Sequence, residues 1–375
     1  LEGARPRSVD DPDLLWLERA AALGRRGWGR THPNPLVGCV LVQRGEVVGE
    51  GHHDEFGGPH AEVVALGAAG AAAAGSTAYV SLEPCHHHGK TPPCSAALKE
   101  AGVTRVIYGA ADPGEGGGGG RGLASMGVEV RGPLFDLRRS RLENPAFFHG
   151  VEGGGLPHVT LKLALSLDGR IAAAPGERTP LSGRWAAAWV HRLRAGFDGI
   201  LVGARTARVD DPLLTVRGDW APRVPPTRVI LDPAGTVTHD MALFRDLPGV
   251  PLLVLVGPDA PRERTERLES AGARVRTVAT AAGGRGLDLR DALGACREAG
   301  MTALLCEGGG RLAGALLGDG LLGRMVLIRT PHILGSRGVP AFPHGVAAGE
   351  WMRWRRSAPP VLLGNDVVDV LDREV

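Results

Sequence analysis

The chain has almost no net charge. Its 375 residues carry 43 Lys and Arg against 41 Asp and Glu, a balance of +2, and the cationic side chains are spread thinly with no basic block. That excludes a nucleic-acid stripe and a polybasic membrane surface. No apolar run reaches membrane-spanning length, and the first residues hold no apolar core of the signal-peptide kind. With no export signal, the expected compartment is the reducing cytoplasm. Cysteine is scarce: five residues, an odd count without framework spacing, which favours free thiols or metal ligands over disulfides. No internal repeat is present. Glycine is abundant, at 57 residues, much of it in loops such as 116–120 and 153–155. The length and a hydrophobic content of 43% suit two globular domains.

Asp11-Pro12 reads as a helix start, a cap followed by proline in the first turn, with Leu14, Leu15, Leu17, Ala21 and Ala22 as its apolar face. Paired strands are expected at 37–42 and 46–50 around the turn Arg44-Gly45. A helix over 60–69, a strand over 77–82, a helix over 93–101 and a strand over 103–109 follow. This alternation implies an α/β sandwich with helices on both faces of a sheet. The glycine-rich stretch 114–122 is expected to be a mobile loop, and 149–157 an interdomain linker. A second α/β pattern then begins. Its strands are expected at 159–163, 199–202, 228–231, 252–256, 303–306 and 325–328, and its helices at 184–195, 262–271, 289–299 and 312–317.

The chemistry is concentrated in Pro59-His60-Ala61-Glu62, answered by Glu83-Pro84-Cys85 and then Cys94. One imidazole and two thiols leave a position of a tetrahedral zinc open to water. Zinc brings the pKa of that water near neutrality. Glu62, two residues past His60, can move protons beside the metal without binding it. A His-x-Glu followed by Pro-Cys and a second Cys is the pattern of zinc-dependent nucleobase deaminases, although here eight residues, His86 to Pro93, separate the cysteines. His60 and Cys85 are expected where the chain gives way to a helix N-terminus, and Cys94 in the first turn of the next helix. Those positions favour thiolate. Two other readings stand beside this one. His86, His87 or His88 could close a structural zinc site as a fourth ligand. A nucleic-acid-editing deaminase would instead want a basic groove, which the charge balance opposes. Lys90 suits an anionic substrate group or plain solvent equally well.

Longer stretches carry a resemblance. Thr31-His32-Pro33-Asn34-Pro35-Leu36-Val37-Gly38-Cys39-Val40, the zinc segments, and His86-His87-His88-Gly89-Lys90-Thr91-Pro92-Pro93 between the cysteines cover the first half. Lys162-Leu163-Ala164-Leu165-Ser166-Leu167-Asp168-Gly169, Arg194-Ala195, Thr206, Asp210-Asp211-Pro212-Leu213-Leu214-Thr215-Val216-Arg217 and Glu307-Gly308-Gly309-Gly310 cover the second. Together they resemble the bifunctional riboflavin-biosynthesis deaminase/reductase family over nearly the whole chain. The resemblance implies a cytidine-deaminase-like three-layer α/β sandwich at residues 1–150. It implies a dihydrofolate-reductase-like α/β domain at residues 157–375. The implied activity is hydrolytic deamination of a diamino-phosphoribosylamino-pyrimidinone, then NADPH-dependent reduction of the ribosyl chain to ribityl. One Zn2+ per chain and NADPH are the implied cofactors. A small-molecule phosphoribosyl pyrimidine is the implied substrate, with no nucleic acid and no membrane as partners, and the chain is expected to be a cytoplasmic homo-oligomer.

By that resemblance His60, Cys85 and Cys94 would bind zinc and Glu62 would be the proton donor. Asn34 would grip the pyrimidine edge, because an amide both donates and accepts. It could equally be a turn residue between two prolines. His53 is a second pocket candidate. Glu307-Gly308-Gly309-Gly310 follows an apolar strand and leads into a helix, which lets backbone N–H groups approach a phosphate. No acidic residue stands about twenty positions on to hold an NAD ribose, so a standard Rossmann module is not supported. The resemblance places Ala164, Thr206, Asp210, Gly309, Gly310, Arg311, Leu312, Ala313, Gly314 and Ala315 at the cofactor. It places Arg178, Arg194, Leu214, Arg217 and Glu307 at the substrate. Lys162, Asp210 and Glu307 form the expected reaction centre, although Lys162 could be a strand residue reaching for solvent. Arg194 and Arg217 read as phosphate clamps, or else as surface arginines. Pro180, Pro233, Arg178 and the glycine run depart from the family pattern.

Overall fold

A computed structural model describes residues 11–87, 92–247, 249–284, 286–343 and 354–374. The chain divides into two units, Leu1–Glu152 and Gly153–Val375.

In the first unit α1 (Pro12–Gly24) starts at Asp11, whose carboxylate accepts from the Asp13 N–H at 3.1 Å. β1 (Gly38–Gln43) and β2 (Glu46–His52) form an antiparallel hairpin. Arg44 and Gly45 both take positive φ, 53° and 82°, the two-residue turn whose twist matches that of the strands. There follow α2 (Ala61–Ala69), β3 (Thr77–Leu82), α3 (Cys94–Glu100), β4 (Arg105–Ala110), α4 (Gly119–Ser125), β5 (Glu129–Arg131), α5 (Leu137–Glu143) and α6 (Pro145–Val151). The sheet order is β2-β1-β3-β4-β5, antiparallel up to β3 and parallel beyond it. Side chains along β1 alternate between two cores. Cys39 and Leu41 pack with Ala61, Ala65, Leu98 and Leu123, while Val40 and Val42 pack with Leu17, Ala20 and Leu23. Helices α2, α3 and α4 therefore cover one face and α1 the other, giving three layers.

Three local expectations are corrected. The buried face of α1 is Leu17, Ala20, Ala21 and Leu23, whereas Leu15 is 69% exposed and Ala22 is exposed too. Residues 149–151 are not linker but the last turn of α6. The glycine stretch is not wholly loop: 119–122 open α4, and Gly119, Gly120 and Gly122 are buried.

The second unit opens with β6 (His158–Leu165), β7 (Arg170–Ala172), α7 (Arg184–Ala195), β8 (Gly199–Gly203), α8 (Ala204–Asp210), β9 (Thr227–Leu231) and β10 (Leu252–Val256). It continues with α9 (Arg262–Ser270), β11 (Arg274–Thr277), α10 (Leu289–Glu298), β12 (Ala303–Cys306), α11 (Gly310–Gly318) and β13 (Arg324–Arg329). Last come β14 (Val339–Pro340), β15 (Trp354–Arg356), β16 (Val361–Leu363) and β17 (Asp366–Arg373). The main sheet runs β11-β10-β9-β8-β12-β6-β13-β17-β15, with β16 also on β17, while β14 pairs with β7. It is parallel from β11 to β13, and β17 joins antiparallel. On β6, Leu161 and Leu163 face a core shared with Ala292 and Leu293 of α10 and Leu316 of α11. Ala164 faces Ala186 and Val190 of α7. The period of two puts Lys162 on that same face, which is where the second site is built.

Candidate active sites

His60 caps α2, Cys94 is the first residue of α3, and Cys85 lies in the loop between β3 and α3. Cys85 thus does not itself start a helix, yet the α3 N-terminus serves it, because the Cys94 N–H donates to Cys85 Sγ at 3.3 Å. His60 Nδ1 stands 3.2 Å from Cys94 Sγ and 3.6 Å from Cys85 Sγ. All three donor atoms lie within 4.8 Å of one another. A tetrahedral zinc with usual bond lengths needs N···S edges of about 3.6 Å, so the set fits that ion. Among the described residues no other His, Cys, Asp or Glu joins the group. His86 turns its Nδ1 to Ser95 Oγ at 2.9 Å, and His87 is exposed. His88 and Lys90 lie outside the described residues. The Cys94 thiol hydrogen-bonds Cys85 and, against the cost of burial and with help from His60, lowers it to about 4. Cys94, holding the shared proton and buried, is raised. Thiolate is the form that binds metal.

Glu62 sits in the first turn of α2 and is 3% exposed. Burial pushes its carboxyl up to about 6, against the pull of its own backbone N–H and of His60. A carboxyl placed there can take and release a proton near neutral pH. Asn34 Nδ2 is 3.1 Å from His53 Nε2, and His53 Nδ1 is 3.0 Å from the Pro59 carbonyl. A carbonyl only accepts, so Nδ1 carries the hydrogen and Nε2 receives the Asn34 amide. The His53 ring stands edge-on to that of His60, centroids 5.7 Å apart. Asn34 and His53 are thereby brought to the metal group.

Three supports of this site escape sequence reasoning. The Asn144 amide pairs with the backbone of Leu36, accepting from its N–H at 2.7 Å and donating to its carbonyl at 3.1 Å. It fixes the segment that carries Asn34. The Glu83 carboxylate accepts from the N–H groups of Gly120 at 2.9 Å and Asp112 at 3.3 Å. The third support is the glycine run itself. A Cβ on Gly119 would lie 1.7 Å from the Pro84 carbonyl oxygen, and one on Gly122 would lie 2.2 Å from the His86 ring. Helix α4 is glycine-rich because it lies against the Pro84-Cys85-His86 turn. The run of glycines was the only signal, and it reads equally as a flexible loop.

In the second unit Lys162 Nζ is 3.9 Å from Glu307 Oε2. Arg194, on α7, grips Glu307 in a two-pronged contact of 2.5 and 3.0 Å. Burial would raise Glu307, but the charges of Arg194 and Lys162 more than offset it and hold the carboxyl at about 2. Burial lowers Lys162 despite the pull of Glu307. Arg194 Nη1 also donates to the Thr215 carbonyl at 2.9 Å. Arg194 thus ties Glu307 to the 214–217 loop. Arg217 on that loop is exposed, and its Nη2 lies 3.5 Å from Nε2 of His191, a residue the sequence did not single out. Leu214 is buried with φ of 48°.

Ala164 lies on the Lys162 face of β6, and Thr206 Oγ1 reaches the Gly308 carbonyl at 3.5 Å. Gly309 takes φ of 90°, and Gly310 is covered closely by the Pro340 carbonyl. Arg311 and Ala315 are exposed, and Leu312 and Gly314 half-buried. The Ala313 side chain is wholly buried in the core, which leaves its backbone for any ligand. Asp210 ends α8, raised by burial and opposed by the charge of Arg178. Arg178 is itself exposed and lies in the field of Asp210.

Comparison with known proteins adds to this geometry. Residues 157–358 match the model of the RibD C-terminal domain, and residues 11–110 that of the cytidine and deoxycytidylate deaminase zinc-binding region. The riboflavin biosynthesis protein RibD of Escherichia coli is 38% identical over 349 residues, spanning 88% of this chain and 91% of that protein. RibD of Aquifex aeolicus is 34% identical over 363 residues, spanning 96% and 98%. Among solved structures, Acinetobacter baumannii RibD superposes with a TM-score of 0.79 at 31% identity, covering 97% of this chain and 99% of that one. A diaminohydroxyphosphoribosylaminopyrimidine deaminase/5-amino-6-(5-phosphoribosylamino)uracil reductase from Thermotoga maritima gives 0.78 at 27% identity, covering 96% and 98%.

Proposed function

The chain belongs to the RibD family of riboflavin biosynthesis proteins, and on that footing we propose how its two units divide the work. The protein is a bifunctional enzyme, a zinc-dependent deaminase and an NADPH-dependent reductase. The first unit removes the amine from 2,5-diamino-6-(5-phosphoribosylamino)pyrimidin-4(3H)-one, consuming one water and releasing one ammonia. The second reduces the ribosyl chain of 5-amino-6-(5-phosphoribosylamino)uracil to ribityl.

In the first unit His60, Cys85 and Cys94 hold the zinc. The bound ion supplies a Lewis acid that makes water acidic near neutral pH. Glu62 would take one proton from the attacking water and pass it to the ring nitrogen, then take the proton of the hydroxyl added to the ring carbon and deliver it to the departing amine, so that both protons of one water are used. The Asn34 carboxamide, oriented by His53, meets the pyrimidine edge. In the second unit Thr206, Asp210, the 309–315 segment and the Ala164 strand hold NADPH, which supplies a hydride when bound. Lys162 polarises the open-chain carbonyl or imine at the sugar carbon that receives the hydride, and Glu307 binds the sugar hydroxyls. One proton completes the reduction.

The observation that carries the reading is the convergence of His60, Cys85 and Cys94 within 4.8 Å, with Glu62 buried beside them. Paired variants test it. Glu62→Gln should lower ammonia release by about 100- to 10,000-fold while NADPH oxidation on the deaminated substrate continues. Lys162→Ala should do the reverse. Loss of both activities in either folded variant refutes the division.

We place the protein in the cytoplasm as a homo-oligomer. All five cysteines are free thiols, as a reducing compartment allows. Among the described residues no helix is long and apolar enough to cross a membrane. Exposed Trp185, Trp220 and Leu362 share an open groove with Trp189 and Leu363, the kind of apolar patch that a second copy covers. Sedimentation velocity reads the assembled mass directly, and a monomer at all concentrations refutes the oligomer.

A further inference from the structure

Asp168 lies in the turn between β6 and β7 and is exposed, yet both oxygens of its carboxylate are taken up by the protein itself. We propose that Asp168 is a positioning residue of the reductase unit, a staple that holds the 332–341 segment over the start of α11 and so shapes the NADPH site. This rests on the reductase reading above and deepens it, since Asp168 belongs neither to the 309–315 segment nor to the Lys162 and Glu307 centre.

The turn is prepared first. Ser166 is 2% exposed, accepts from the Arg170 N–H at 2.9 Å, and donates its hydroxyl to Asp168 Oδ1 at 2.6 Å. The carboxylate is thereby aimed at a segment far along the chain. The Leu334 N–H donates to Oδ1 at 3.1 Å, and the Gly335 N–H to Oδ2 at 2.7 Å. Gly335 takes φ of 74°, and two successive N–H groups in such a turn make a cup for an anion. Here the anion is the protein's own side chain. The Ser166 hydroxyl first, and then the two amides, hold the carboxyl at about 2 against slight desolvation. The staple therefore stays charged over the whole working range, and bonds to a charged acceptor are the strong kind.

What the staple holds lies against the cofactor segment. From Thr330 the chain runs beside the end of β6. The Thr330 N–H donates to the Leu165 carbonyl at 2.8 Å, and the Leu167 N–H to the His332 carbonyl at 2.7 Å. Past the stapled pair the chain turns, with the Gly338 N–H bonding back to the Gly335 carbonyl at 3.1 Å. It then forms β14 against β7, and the Ala341 N–H closes onto the Gly169 carbonyl at 3.2 Å. β14 covers the first residue of α11: a Cβ on Gly310 would lie 2.6 Å from the Pro340 carbonyl oxygen. A Cβ on Gly309 would lie 2.7 Å from Thr206 Oγ1. The start of α11 is thus fixed between α8 and the stapled segment. Asp168 joins the strand that bears Lys162 and Ala164 to that segment. Ile333, 74% exposed, adds little packing that could hold it in its place.

The test uses the full-length enzyme as wild type, Asp168→Ala and Asp168→Asn. Hydrogen exchange read by mass spectrometry without NADPH reports the staple itself, and fluorescence titration with NADPH reports the site. In Asp168→Ala the amides of 330–341 should exchange about tenfold faster or more, with the rest of the second unit unchanged. NADPH binding should weaken by about tenfold. The loss should appear in the KM for NADPH, with kcat and the KM for the aminouracil within about twofold of wild type. An amide has one oxygen for the two arms, so Asp168→Asn should lie between, at about a threefold loss. It carries the test if the alanine variant fails to fold, and wild-type exchange and affinity there overturn the proposal. NADPH affinity within about twofold of wild type in Asp168→Ala overturns it as well. So does equal weakening of NADPH and the aminouracil, or exchange that quickens across the whole unit, which marks a merely structural residue. A wild type that neither binds nor oxidises NADPH looks different: it overturns the reductase reading, and this proposal with it.

Discussion

Glu307 shows how one residue's surroundings set its chemistry. Burial alone would make it a neutral acid, yet Arg194 and Lys162 hold it at about 2, so it stays an anion at any working pH. The same shift contributes to stability. The folded carboxyl lies below its ordinary 4.5, so its contribution is complete above that value and is lost as pH falls from there through about 2. Wild type should exceed Glu307→Gln in unfolding free energy by roughly 3 kcal/mol at neutral pH. The gap should narrow steadily below pH 4.5, as urea unfolding at stepped pH would show. A gap that stays constant from pH 7 to pH 3 contradicts the ionic account. Residue identity was legible where chemistry demands a type at a spacing. His60, Glu62, Cys85 and Cys94 announce themselves, and Lys162 and Glu307 rest on the family resemblance. His191 and Asn144 carry no local signal, because their partners Thr215 and Leu36 are remote in the chain and meet them only after folding.

At the scale of elements, α4 is the piece whose sequence misleads. Glycine disfavours helix, yet this helix begins with glycines because its backbone lies against the Cys85 turn. Gly119→Ala should force Cβ onto the Pro84 carbonyl and cost about 1–3 kcal/mol or more. The displaced Cys85 should also weaken zinc retention against a chelator. Gly150→Ala, on α6 with nothing near its Cβ, should be neutral or slightly stabilising by comparison. Equal zinc retention in both variants would show that α4 does not brace the turn. Elements with strong punctuation were readable. The Thr77–Leu82 and Leu252–Val256 strands and the Arg184–Ala195 helix fall where period and flanks place them. The C-terminal hairpins were not, since β17 interleaves Asp with Val and takes its place only by pairing with β13.

At the scale of the molecule, the two sites are built wholly within separate units. The α/β class was legible from the alternation of strands and helices, the deaminase activity from its His/Cys motif, and the reductase activity from the family resemblance alone. Which residues hold each site rigid was not. Independence of the sites predicts complementation: Glu62→Gln and Lys162→Ala full-length proteins, each unable to complete the two-step conversion, should restore it when mixed. Product formation from the diamino substrate with NADPH is the readout. A mixture no better than either variant alone contradicts independent sites.

The central claim is that one imidazole and two thiolates hold a zinc while Glu62 stays off the metal. The most direct measurement is elemental analysis of the folded, purified full-length protein alongside Glu62→Gln and Cys94→Ser, with ammonia release assayed on the same samples. The account predicts one zinc per chain in wild type and in Glu62→Gln, little or none in Cys94→Ser, and ammonia from wild type alone. Full occupancy in Cys94→Ser, loss of zinc in Glu62→Gln, or a folded wild type without stoichiometric zinc would contradict it.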